Sequence, residues 1–137
     1  MLNIYQIEET VTAMAQRINA PAWAVPTFHF SEQLGRPHIE ASALGYSYVI
    51  AERGEEYSRQ HTTNFRELLY WIFKSVSFEM ACQWELQNRK KQEDFRRQLF
   101  AKQIQIMKEV DEEFAVKLQA ENEAILTYAP FNDSQGV

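Results

Sequence analysis

The 137 residues carry 14 basic and 19 acidic side chains, a formal charge of −5. That balance argues against a general nucleic-acid binder, which needs a basic face to neutralise phosphates. Hydrophobic residues at 45% and charged residues at 24% exclude wholesale disorder, and the length suits one domain whose core needs no covalent staple. The 13% aromatic content points to a dense core with anchors to spare for a partner.

The first residues, Met1-Leu-Asn-Ile-Tyr-Gln, show neither the basic nor the apolar region of a secretory signal. The richest apolar stretch, 68–73, is far shorter than the ~18 residues of a membrane span. The single cysteine, Cys82, allows no intrachain disulfide, so a cytoplasmic setting is expected. Cys82 sits in an apolar helical stretch and reads as a small core hydrophobe rather than a nucleophile.

Along the chain, Ile4, Ile7, Val11, Met14 and Ile18 repeat at spacings of three and four, the stripe of an amphipathic helix over 3–19. Pro21 and Pro26 end it in an extended connector. Three short runs, 27–30, 36–41 and 46–53, read as strands punctuated by Gly35, Gly45 and Gly54. With 42–45 as a hairpin loop, Ile39 faces Tyr48 and Ala41 faces Tyr46. Ile39, Ala41, Tyr46, Tyr48 and Ile50 then share a core face. His38, Glu40, Ser47, Val49, Ala51 and Arg53 share the other, semi-polar face.

The polar stretch 55–61 reads as a loop. Asn64, with Glu67 three residues on, is a helix N-cap signal. The helix it opens is apolar nearly all round (Phe65, Leu68, Leu69, Trp71, Ile72, Phe73, Val76, Phe78, Met80, Trp84) and reads as the central element. A third helix uses Phe95, Leu99, Ile104, Ile106 and Met107. A fourth, opened by Asp111 or Glu112 and stopped by Pro130, uses Phe114, Leu118, Ile125 and Leu126. The expected architecture is α+β: an N-terminal helix, a small antiparallel three-stranded sheet, then three helices. One domain is expected over 1–131, with 132–137 a flexible tail.

Catalytic chemistry is poorly represented. His29, His38 and His61 are too few and too scattered for a metal site, and no ligand spacing accompanies them. Glu40 and Glu52 project to opposite sheet faces, which does not suit a two-carboxylate mechanism. Phosphate-cradling glycine loops and a nucleophile elbow are both missing from the sequence. Neither an enzyme nor a cofactor is therefore expected. Charge is unevenly spread: residues 1–88 sum to −4, 89–108 to +5 and 109–137 to −6. The basic stretch (Arg89, Lys90, Lys91, Arg96, Arg97, Lys102, Lys108) reads first as a solvated helix face with local ion pairs, and second as a patch for an acidic partner.

An ordered series of motifs runs through the chain: Pro26-Thr-Phe-His-Phe, Gly35-Arg-Pro-His-Ile-Glu40 and Gly45-Tyr-Ser-Tyr-Val-Ile-Ala-Glu-Arg-Gly-Glu55, then Leu68-Leu-Tyr-Trp-Ile-Phe73, Asp94-Phe-Arg-Arg-Gln-Leu-Phe-Ala-Lys-Gln103 and Pro130-Phe-Asn-Asp133. In this order it resembles the immunity protein 63 family, small proteins encoded beside toxins in bacterial polymorphic toxin systems. The resemblance implies a cytoplasmic protein that neutralises a cognate toxin by contact, without catalysis, nucleic acid or membrane. The surface expected to make that contact is the semi-polar hairpin face with its loops: Arg36, His38, Glu40, Ser47, Arg53, Glu55 and Glu56. Arg96 and Arg97 are the second choice, Arg97 having the alternative of pairing internally with a carboxylate. A small ligand-binding or enzymatic domain using the His38/Glu40 face is the competing reading, and self-association as a homodimer is left open.

Overall fold

The computed structural model describes residues 1–136, and side chains as far as Ser134. Four helices and one antiparallel sheet make an α+β fold: α1 (Ile4–Arg17), β1 (His38–Ser42), β2 (Gly45–Glu52), β3 (Glu55–Thr62), α2 (Phe65–Gln87), α3 (Phe95–Val110) and α4 (Glu112–Tyr128). The chain divides into two compact units, 1–73 and 74–137, with the boundary inside α2.

In the first unit α1 is opened by a reciprocal cap, the Asn3 side chain accepting from the Gln6 N–H while the Gln6 side chain accepts from the Asn3 N–H. That satisfies two donors a helix start would otherwise leave unpaired. Its stripe buries Ile7, Val11, Ala15 and, just past its end, Ile18. The strands run in the order β1-β2-β3. Ile39 pairs with Tyr48 and Ala41 with Tyr46, the register that alternation requires. Ile39 and Tyr46 are fully buried. The Tyr46 hydroxyl accepts from the Leu2 N–H at 2.8 Å and its ring meets Phe65 at 5.8 Å, so the phenol is buried with its polar end satisfied.

Two of the three expected strand runs are present, and the third is misplaced. Residues 27–30 do not form a strand. Thr27 makes one bridge beside β1, its N–H donating to Pro37 O and its carbonyl accepting from the Ile39 N–H. Its hydroxyl then donates to Phe30 O at 2.6 Å, which curls the segment back on itself. The third strand is instead 55–62, expected to be a loop. It is an edge strand whose side chains are mostly exposed on both faces, so it carries none of the apolar alternation by which a half-buried strand is recognised. A register shift between Ile50 and Ala51 adjusts its pairing with β2. Arg53 and Gly54 both have positive φ, +53° and +80°, the geometry of a tight two-residue hairpin turn.

α2 begins as expected, the Asn64 carboxamide accepting from the Arg66 and Glu67 N–H groups. In its first unit portion it buries Leu68, Leu69, Tyr70, Ile72 and Phe73, and in its second Val76, Ser77, Ala81 and Glu85. In the second unit Asp111 alone links α3 to α4: its N–H closes α3 on Met107 O at 2.9 Å and its carboxylate caps α4 at the Phe114 N–H. Leu99, Ile106, Met107, Val110, Phe114, Ala115 and Leu118 are buried. Gln103, buried among them, donates to Lys74 O and Ser77 Oγ and so avoids an unpaired amide.

Candidate functional site

The outward face of the sheet carries two cross-strand rows. His38, Val49 and Arg59 form one; Glu40, Ser47 and His61 form the other. Val49 is fully buried, so the polar side chains around it roof the apolar floor of this face. Glu40 is the hub. Its carboxylate lies 2.9 Å from His38 Nε2 and accepts from Arg59 at 2.8 and 3.3 Å. Arg59 also grips Glu56 through Nε at 3.1 Å and through a second, short contact from Nη2. One guanidinium therefore serves two carboxylates. Hydrogen bonds from Arg59 hold both carboxyls below the usual range, with His38 adding to the effect at Glu40, and the guanidinium is pushed correspondingly up. Two carboxylates against one guanidinium leave Glu40, Glu56 and Arg59 together with one net negative charge.

His61 spans the second row and the first hairpin loop. Its Nε2 faces Leu44 O at 3.1 Å, and its Nδ1 faces Ser47 Oγ at 3.2 Å. A carbonyl can only accept, so Nε2 carries the proton and the Ser47 hydroxyl donates to Nδ1 in the neutral ring. His38 is mostly buried, and its Nδ1 has no hydrogen-bond partner among the described residues.

Beside Glu40 the sheet edge opens into a groove of about 450 Å³, lined by Ile4, Phe28, His29, Phe30, His38, Glu40 and their neighbours. Phe30 is 62% exposed, and Tyr5, 69% exposed, stands 5.0 Å from the His29 ring. Exposed aromatic rings crowded beside a charged network are the composition of a recognition surface.

The expected contact residues separate on their geometry. His38, Glu40, Ser47 and Glu56 converge on the sheet face. Arg36 is turned inward: its guanidinium donates to Val25 O at 2.8 and 2.6 Å, to Ala22 O at 2.7 Å and to Glu32, pinning the connector after α1. Arg53 belongs to the turn between β2 and β3, whose N–H groups at 53 and 54 are held by Gln33, and Glu55, the first residue of β3, lies opposite Glu52. Arg96 and Arg97 lie in the second unit and are bound within it. Arg96 pairs with Asp94 and donates to Ala129 O and Pro130 O, both at 2.8 Å, joining the start of α3 to the end of α4. Arg97 pairs with Asp133 at 2.9 Å and lies 4.4 Å over the Phe131 ring. The segment read as a tail is thus tied back at Asn132 and Asp133, while Val137 lies outside the described residues.

Arg59 and His61 were missing from the expected set although they complete its network. The only sequence signal for them was the positive φ demanded near Gly54, which would have turned the chain back into a third strand. Cys82 is half-buried and not a core residue as expected, though desolvation, with Glu79 and Glu85 nearby, still pushes its thiol up. Among the described residues no group of three or more His, Cys, Asp or Glu is placed to hold a metal ion, and no helix is long and apolar enough to cross a membrane.

The family model for immunity protein 63 matches residues 41–124, which takes in the last two residues of β1, then β2, β3, α2, α3 and most of α4. The chain belongs to the immunity protein 63 family. No curated protein and no solved structure matches it.

Proposed function

We propose that this chain binds and neutralises one cognate toxin of a bacterial polymorphic toxin system, in the cytoplasm, by surface contact and without catalysis. The family match over 41–124 carries the reading. The polar sheet face and adjoining groove support it as the contact surface, with Glu40, Glu56, Arg59, His38, Ser47 and His61 offering charged and hydrogen-bonding groups beside exposed rings. Such a mixture suits an interface with aromatic anchors inside and polar groups around them. Net negative charge on the face would speed encounter with a basic toxin.

The competing reading, a small enzyme or ligand-binding domain using His38 and Glu40, is favoured by the groove beside them. The direction of the Glu40 shift weighs against it. A carboxyl held below its ordinary range and engaged by Arg59 is a weak proton acceptor at neutral pH, where a general base needs a raised value. The test is calorimetric titration of the purified chain into the toxin domain encoded beside it. A saturable complex that suppresses the toxin's activity is expected; no complex with that toxin would refute the reading.

A further inference from the structure

The groove has chemistry that narrows its occupant. One wall is aromatic, with Phe28, His29 and Phe30 beside the exposed Tyr5 ring. Ile4 adds apolar surface, and Glu40 on β1 brings an acidic residue into the lining. That combination, ring faces along a slot with an anion at its side, fits a long side chain that is apolar in its stem and cationic at its head. A guanidinium meets both demands better than an ammonium, because it stacks flat on rings, offers parallel N–H donors to a carboxylate and is weakly hydrated.

The charge balance agrees. Glu40 and Glu56 share the single guanidinium of Arg59, with His38 Nε2 also 2.9 Å from Glu40, so a second permanent cation would balance the two carboxylates. Nearby basic groups do not supply it. Arg36 is committed to backbone carbonyls, and residues 1–73 hold five basic side chains against eight acidic. His29 is already bonded to Glu8 at 3.0 Å on the rim.

Resting on the immunity reading above, we infer that this groove receives an arginine side chain of the toxin, its stem along Ile4 and Phe28, its guanidinium between the Phe30 ring and the Glu40 carboxylate. Phe30 and Glu40 would then determine which toxin is accepted.

Two measurements on the full chain test this. The first is an NMR titration with the peptide acetyl-Gly-Arg-Gly-amide and with its citrulline counterpart, which keeps the shape and removes the charge. Saturable shifts are expected at residues 28–30 and 38–40, about fivefold weaker with citrulline and about fivefold weaker in Glu40→Gln, the fold-change a cation contact near a ring and carboxylate supplies. No saturable shift at these residues, or equal shifts with citrulline, would overturn the inference; the second outcome would mark the groove as a slot for an uncharged anchor.

The second uses the adjacent-encoded toxin domain, comparing the unmodified chain with Glu40→Gln and Phe30→Ala. The exposed Phe30 can be truncated without touching the Arg59 network, so this variant guards against a loss that reflects only disturbed ion pairs. Each variant should weaken the complex about tenfold or more, the scale of a central anchor. If the unmodified chain binds and both variants bind equally well, the arginine inference fails while the immunity reading stands. Failure of the unmodified chain to bind overturns both.

Discussion

Replacing Asp94 by alanine strikes a point where several independent bonds converge. The carboxylate is almost wholly buried and accepts from the Arg96 N–H at 3.0 Å as the cap of α3, from the Arg96 guanidinium at 2.8 Å and from the Asn132 N–H at 2.9 Å. Loss of an N-cap acceptor costs about 1 kcal/mol. Stranding the partly buried guanidinium and the Asn132 N–H adds about 1–3 kcal/mol, the penalty for polar groups left without partners. The expected loss for Asp94→Ala is therefore about 2–4 kcal/mol, a large share of the stability of an ordinary domain. Asp94→Asn keeps one oxygen for the cap but puts an NH2 donor where Oδ2 accepted from the Asn132 N–H and the Arg96 guanidinium, so it should lose only about 1 kcal/mol less than Asp94→Ala. Urea denaturation followed by far-UV circular dichroism reads both values. A loss under about 0.5 kcal/mol for Asp94→Ala, the scale of an unremarkable surface substitution, would refute the claim that this carboxylate joins the start of α3 to the end of α4.

Acid should destabilise the chain through the same groups. Asp94, Asp133, Glu40 and Glu56 all have carboxyls held below their ordinary values in the folded state, by Arg96, Arg97 and, for the last two, Arg59. The unfolded chain then takes up protons first as pH falls, so this stabilisation is present above about pH 4.5 and drains away below it; a urea midpoint series that stays flat down to about pH 3 would contradict the assignment. Gly45→Ala should be costly, because φ is +131° and the added Cβ would lie 2.7 Å from Thr62 O on the neighbouring strand. A melting temperature unchanged from the parent would show that the β2–β3 approach is looser than described. Arg36→Met keeps an aliphatic stem but removes the donors to Ala22 O and Val25 O; about 1–2 kcal/mol should be lost with toxin affinity unaffected, whereas lost affinity at unchanged stability would make Arg36 a contact residue after all.

How much of this was visible in the residues depends on whether the signal was local. The β1–β2 register followed from alternation, since one face of that hairpin is buried and a slip of one residue would expose Ile39 and Tyr46 together. The Asn64 cap and the stop before Pro130 were equally legible, because capping chemistry is written within a few residues. β3 was not. Its side chains face solvent on both sides and its strand character comes from main-chain bonds to β2, which leave no mark on composition. Losing β3 also lost Arg59 and His61, and with Arg59 the ion pairs that explain why Glu40 stays charged. Arg36 and Arg96 hide their engagement for the opposite reason: their carbonyl partners lie 11 to 34 positions away in sequence, whereas Arg97 makes an internal carboxylate pair, with Asp133, of the kind its alternative reading named.

The central claim is neutralisation, and survival tests it most directly. The toxin encoded beside this chain would be induced in cells with and without the chain. The account predicts that cells making the toxin alone stop growing, that co-expression restores growth, and that Glu40→Gln combined with Phe30→Ala at equal protein level loses that protection. Continued toxicity in the presence of the folded, unmodified chain would contradict the account.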